Sequence, residues 1–141
     1  MTPDEKADLI RDALERAVME GGGRSLLGRY DELFTEDFRW RPAIQASIEG
    51  NKEYQGREGF ARYWDDFEAG FSHVSYRNAT LRAVGDDTVL GQLRLCLEGT
   101  ESGVRLEHDI GWVFRFDGDK ISSGETYLTW ADAEAAANAQ T

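Results

Sequence analysis

Gln92-Leu93-Arg94-Leu95-Cys96-Leu97-Glu98-Gly99, the turn Thr100-Glu101-Ser102-Gly103 and Val104-Arg105-Leu106-Glu107-His108-Asp109-Ile110 read as the two arms of one β-hairpin. Folding the chain at that turn sets Glu98 opposite Arg105 and Arg94 opposite Asp109. Both are opposite-charge pairs on one face, which is how cross-strand neighbours stabilise a sheet. The other face then collects Val89, Leu93, Leu95 and Leu97 against Leu106, Ile110 and Trp112, following the two-residue period of a strand. This register predicts which side chains enter the core and which polar groups travel in with them.

Strands are expected at roughly 73–84, 87–99, 103–116 and 120–130, with turns at Gly85-Asp86-Asp87, Glu101-Ser102-Gly103 and Asp117-Gly118-Asp119. Gly85-Asp86-Asp87-Thr88 admits more than one turn, so the register of the first hairpin stays open. The preceding half is helical. Thr2-Pro3-Asp4-Glu5 is a capping box with proline at the first helical position, followed by Ile10, Ala13, Leu14, Ala17 and Val18 until Gly21-Gly22-Gly23. A second helix runs from Ser25 to about Phe34, and Phe38-Arg39-Trp40-Arg41 alternates as a short strand that stops at Pro42. The polar stretch Ala43 to Gln55 reads as a loop with a short strand. Gly56-Arg57-Glu58-Gly59 then opens a third helix whose buried stripe is Phe60, Tyr63 or Trp64, Phe67 and Phe71. Thr129-Trp130-Ala131-Asp132 caps a short alanine-rich tail. Helices followed by long strands give an α+β chain, one domain over 1–141. The expected architecture is a curved antiparallel sheet wrapped around about three N-terminal helices, a cone open at one end.

The 141 residues carry 27 acidic against 16 basic side chains, a formal net charge of −11. Such a surface repels phosphate backbones and anionic headgroups, which argues against nucleic-acid and membrane partners. Cys96 is the single cysteine, so no internal disulfide can form. The N-terminus MTPDEKADLI lacks the basic and apolar regions of a signal peptide, and a cytoplasmic location is expected. Without secretion, the sequon Asn78-Ala79-Thr80 carries no glycan. Neither HExxH, CxxC, a Cys/His cluster, GxGxxG nor a phosphate-loop pattern occurs, so no metal and no cofactor is expected.

Two stretches give the chain a likeness. Tyr54-Gln55-Gly56-Arg57-Glu58-Gly59 with Tyr63-Trp64, and Trp112-Val113-Phe114-Arg115-Phe116-Asp117-Gly118-Asp119-Lys120-Ile121 ending in Glu125-Thr126-Tyr127, resemble the nuclear transport factor 2-like superfamily and, within it, the SnoaL-like proteins. The resemblance implies the cone fold. For function it implies a range, from isomerases, dehydratases, cyclases and epoxide hydrolases to plain binding or dimerisation modules. It places family carboxylates just past the first strand and three residues before the arginine of the penultimate strand. Those places are held here by Arg41 or Pro42 and by Trp112. The likeness thus supports the scaffold without either known mechanism.

Running the last hairpin through Gly118-Asp119 pairs Phe116 with Ile121, Trp112 with Glu125, Ile110 with Tyr127 and His108 with Thr129. Ser123, Glu125, Tyr127 and Thr129 then face inward with Ile121. A slip of one residue would put Leu128 and Trp130 inside and these polar groups out. In the first register Glu125 is a carboxyl on an apolar wall, suited to acid–base work, or else the partner of an arginine drawn from Arg82, Arg39 and Arg41. Tyr127 could polarise an oxygen or anchor to backbone, and His108 could shuttle protons or sit as a rim histidine. The expected catalytic set is therefore Glu125, Tyr127 and His108. The expected pocket lining is Tyr30, Trp40, Tyr54, Tyr63, Trp64, Phe67, Trp112 and Phe114.

Two functions follow. In one, a small apolar substrate is isomerised, dehydrated or cyclised without a cofactor, by acid–base chemistry. In the other, the cone only binds a small-molecule ligand or serves as a homodimerisation module. The outer face, with Leu81, Leu90, Gln92, Arg94, Cys96, Val113, Leu128 and Trp130, is apolar enough to predict a sheet-to-sheet homodimer.

Overall fold

A computed structural model describes residues 1–19, 23–43, 53–99 and 103–139. Gly21-Gly22, positions 44–52 of the polar stretch, the 100–102 turn tip and the Val18 and Phe71 side chains lie outside the described residues.

Helix α1 (Pro3–Met19) starts as its sequence demands. Thr2 N donates to Glu5 Oε1 (3.0 Å) and Glu5 N to Thr2 Oγ1 (3.1 Å), the reciprocal capping box. Its buried side is Ala7, Ile10, Ala13 and Ala17. The expected second helix is a 3₁₀ segment (Gly23–Arg29) followed by one α turn, α2 (Tyr30–Leu33). Phe34 already belongs to β1 (Phe34–Arg41), which begins four residues before the predicted strand. After β2 (Tyr54–Gln55), helix α3 (Gly56–Gly70) buries Phe60, Tyr63 and Phe67. Then come β3 (Phe71–Val84), β4 (Thr88–Gly99), β5 (Arg105–Asp117) and β6 (Lys120–Tyr127), and α4 (Trp130–Asn138) follows them.

The six strands form one curved, unclosed sheet in the order β2-β1-β6-β5-β4-β3. It is mixed rather than wholly antiparallel, because β1 lies parallel to β6. The concave face packs on α1 and α3, giving the cone of an α+β fold. The β4–β5 hairpin has the expected register, with Glu98 opposite Arg105, Arg94 opposite Asp109 and Leu93 opposite Ile110. Val84 pairs with Thr88 across the first hairpin, which settles the open register there. Arg82 then lies on the convex face, 3.8 Å from Glu134 of α4.

The last hairpin departs from expectation. Phe116 pairs with Ile121 as predicted, but Arg115 pairs with Ser123, Phe114 with Gly124 and Val113 with Glu125. Ser122 is the extra residue of a β-bulge, and its hydroxyl donates to Arg115 O (3.1 Å). The bulge keeps Ile121 inside while turning every later side chain over. Gly124 and Thr126 therefore face the core, and Glu125 and Tyr127 face the convex side. Glu125 is opposite Val113, not Trp112.

A second difference concerns the convex face. Ala133 and Ala137 of α4 pack on Val84, Leu90 and Val113, with Gly111 beneath Ala133. The chain thus covers part of the apolar strip that predicted a homodimer. Leu81 belongs to the inner core instead, because the register set at Val84 and Thr88 puts it opposite Gly91, itself paired with Trp112. A bulge near Asn78, at φ +54°, shifts the β3 register only beyond it, between Arg77 and Thr80. The rest of the convex face carries a charge network, with Arg77 and Arg94 on Glu107 and Arg94 on Asp109. Among the described residues, no helix is long and apolar enough to cross a membrane.

Candidate functional site

The cone holds a partly open cavity of about 90 Å³. Three sequence patterns build its wall. Helical spacing on α3 brings Tyr63, Trp64 and Phe67 to it, strand alternation on β5 brings Ile110, Trp112 and Phe114, and α1 contributes the small Ala13 and Ala17. Trp40 of β1 completes the aromatic side. Its ring stacks toward Phe114 at 6.4 Å and meets Tyr63 edge-on at 5.7 Å. Gly124 makes room for this, since a Cβ there would stand 2.8 Å from the Trp40 ring and 3.1 Å from Phe114. Of the eight residues expected to line a pocket, six border this cavity: Trp40, Tyr63, Trp64, Phe67, Trp112 and Phe114. The other two sit behind them. Tyr30 stacks on Phe34 at 5.2 Å, and Tyr54 packs against Tyr63 at 5.4 Å.

The polar content of the wall is sparse. Burial pushes the Tyr76 phenol up to about 12 and the Tyr63 phenol higher still, so both hydroxyls stay protonated donors at neutral pH. Among the described residues, the Trp40 indole N–H is buried beside the Tyr63 hydroxyl without completing a hydrogen bond, and the buried Trp64 N–H has no partner either. Thr126 Oγ1 accepts from Ala43 N (2.5 Å). Among the described lining residues no carboxylate or imidazole is present.

The expected catalytic set is not assembled on this wall. Glu125 accepts from Arg115 Nη1 and, at its other oxygen, from the Tyr127 hydroxyl at 2.7 Å. Arg115 Nη2 donates in turn to Ala136 O of α4 (3.2 Å). Glu125 is thus the arginine-paired carboxylate, with Arg115 in the place where Arg82, Arg39 or Arg41 was expected. Burial and then the Glu125 carboxylate push the Tyr127 phenol up to about 12. His108 is exposed, with Nδ1 at 2.6 Å from Asp109 O, in a surface groove bordered by Arg94 and Trp130. The structure therefore brings Glu125 and Tyr127 together on the convex side and leaves His108 apart from both.

Sequence reasoning missed Tyr76 and Thr126 on the inner wall. Tyr76 lies edge-on to Trp112 at 5.3 Å. Its inward direction depends on the bulge near Asn78, which alternation alone does not reveal. The signal for Thr126 was Gly124, because a glycine is what an inward position crowded by Trp40 and Phe114 requires. Among the described residues no group of three or more His, Cys, Asp or Glu could hold a metal ion.

The architecture has many solved counterparts. An NTF2-like protein from Burkholderia xenovorans LB400 superposes with a TM-score of 0.71 at 16% identity, over 98% of each chain. The epoxide hydrolase/cyclase-like enzyme SalBIII, of pyran ring formation in the polyether salinomycin, gives 0.67 at 18%, covering 92% of this chain and 94% of that one. A protein of ketosteroid isomerase-like fold from Catenulispora acidiphila DSM 44928, solved in complex with trimethylamine, gives 0.60 at 18%, over 84% and 85%. Among curated proteins none matches the sequence significantly. The family model of the SnoaL-like domain matches residues 16–124, most of the chain and most of the cone. The chain belongs to the SnoaL-like domain family.

Proposed function

We propose that the protein binds a small, neutral, mostly apolar molecule bearing one acceptor oxygen inside the cone. The cavity itself carries this reading. A void of about 90 Å³ costs roughly 2 kcal/mol of stability at ~24 cal/mol per Å³. A sequence this rich in aromatic side chains at the site could fill it. Benzene, with six non-hydrogen atoms, is held in an apolar cavity of about 150 Å³, so this smaller one suits roughly four. The buried Trp40 and Trp64 N–H groups and the phenols of Tyr63 and Tyr76 are donors, which favours a carbonyl or ether over a cation.

The likeness in fold to the epoxide hydrolase/cyclase-like enzyme SalBIII suggests catalysis on the same scaffold. Acid–base chemistry by Glu125, Tyr127 and His108 would have to occur on the convex side, where Glu125 is committed to Arg115. Binding is the function that the interior supports.

Tryptophan fluorescence titrations test the proposal with acetone, isobutane and trimethylamine. Saturable binding, tightest for the ketone and lost in Ala13→Leu, which fills the α1 side of the cavity, is expected. Equal response of that variant, or preference for trimethylamine, would overturn it.

A further inference from the structure

Behind β6, on the convex side, lies a second cleft of about 380 Å³, unlike the first in every chemical respect. Its floor is a row across three strands. Arg39 of β1 is aligned with Ser123 of β6, and Ser123 with Arg115 of β5. Neighbouring strands are about 4.8 Å apart, so the two arginines flank the serine at a spacing that one bound group can bridge. Ala136 and Ala139 of α4 form the rim.

The charged groups facing this cleft are Arg39 and Arg41 from β1, Glu53 just before β2, Arg115 from β5 and Glu125 from β6. Two of the three arginines are matched. Glu125 takes Arg115 Nη1 and spends its other oxygen on the Tyr127 hydroxyl at 2.7 Å, while Glu53 Oε1 lies 3.4 Å from Arg41 Nε. The carbonyl end of α4 is already met, because Ala136 O accepts from Arg115 Nη2 at 3.2 Å. What remains is one buried acceptor, Glu53 Oε1, which faces Arg41 without a hydrogen bond, and a set of donors. Arg39 has no hydrogen-bond or ion-pair partner among the described residues, and Arg115 Nε is buried without one. Ser123 adds a hydroxyl to the wall. An unmatched cation, a buried N–H and a hydroxyl in one row call for an oxyanion, since guanidinium groups pair with planar or tetrahedral oxygen anions more strongly than with neutral acceptors. A net charge of −11 makes this local surplus of positive charge the more specific.

We propose that Arg39, Ser123 and Arg115 form an oxyanion site on the convex face that takes a small molecule through its carboxylate or phosphate group. The site is separate from the interior cavity, so it stands or falls independently of the binding proposed there.

The test is a heteronuclear NMR titration of the full chain with inorganic phosphate and with succinate, against sodium chloride at constant ionic strength. Saturating shifts at the amides of Arg39, Ser123 and Gly124 are expected with at least one oxyanion and not with chloride. Arg39→Gln, a change at an exposed position, should weaken that binding about tenfold, the loss of one charge-assisted contact. Saturation by phosphate alone identifies a phosphate group, by succinate alone a carboxylate, and by both a general oxyanion site. Shifts no larger than those from chloride, an unchanged titration in Arg39→Gln, or equal shifts at the Arg77 and Arg94 network would overturn the proposal.

Discussion

Gly124 and Glu125 are adjacent in sequence and belong to opposite faces, and their substitutions separate packing from chemistry. Alanine at Gly124 would push a methyl to 2.8 Å from the Trp40 ring. We expect Gly124→Ala to cost about 1–3 kcal/mol in denaturant unfolding, the usual penalty for overpacking, with an altered tryptophan emission spectrum. Glu125→Gln keeps an acceptor for the Tyr127 hydroxyl and loses the charge facing Arg115, both groups being about four-fifths buried, with side-chain exposures of 18% and 21%. Its expected cost is about 1–2 kcal/mol of stability, with no change in affinity for a ligand in the cone. A variant of unchanged stability that no longer bound would instead place Glu125 in the functional machinery.

Among the elements, the β4–β5 hairpin was legible from its charges alone, because Arg94–Asp109 and Glu98–Arg105 admit one register. The β5–β6 hairpin was not. The expected register and the observed one share the pair Phe116–Ile121, and the difference between them falls on one extra residue, Ser122, whose bulge no alternation pattern announces. That single residue moved Glu125 and Tyr127 across the sheet and with them the expected catalytic set. The aromatic wall survived because its residues come from α3, β1 and β5, which lie outside the slip. The cap at Thr129-Trp130-Ala131-Asp132 is legible in the sequence, and Thr129 Oγ1 does accept from Asp132 N (3.1 Å) at the start of α4. Its docking depends on Gly111, where a Cβ would come within 2.2 Å of the Ala133 Cβ. Gly111→Ala should lift α4 and speed amide exchange at Ala137 and its neighbours at least tenfold, while β4–β5 amides keep their protection.

Over the whole molecule, α4 covers Leu90 and Val113 within the chain, so the homodimer proposed from that strip would have to use the charged half of the convex face or displace the helix. A chain truncated after Leu128 should sediment as a larger species than the full one at equal concentration, since the strip is then bare. The buried phenols set the alkaline limit. Burial pushes the Tyr76 phenol up to about 12 in the folded chain, against about 10 unfolded, so the unfolded state releases its proton first as pH rises. Stability is therefore intact below about pH 10 and falls between pH 10 and 12 by about 1.4 kcal/mol per unit for that group, with Tyr63 adding to the loss. Thermal melts between pH 8 and 12 would show the decline beginning near 10. The interior as a binding site is tested most directly by intermolecular NOEs between acetone and the ¹³C-labelled chain at saturating ligand. Cross-peaks to the methyl groups of Leu95 and Ile110 and to the Trp112 ring are expected. Cross-peaks confined to the convex face, or none at all, would contradict the reading of the cone as a binding site.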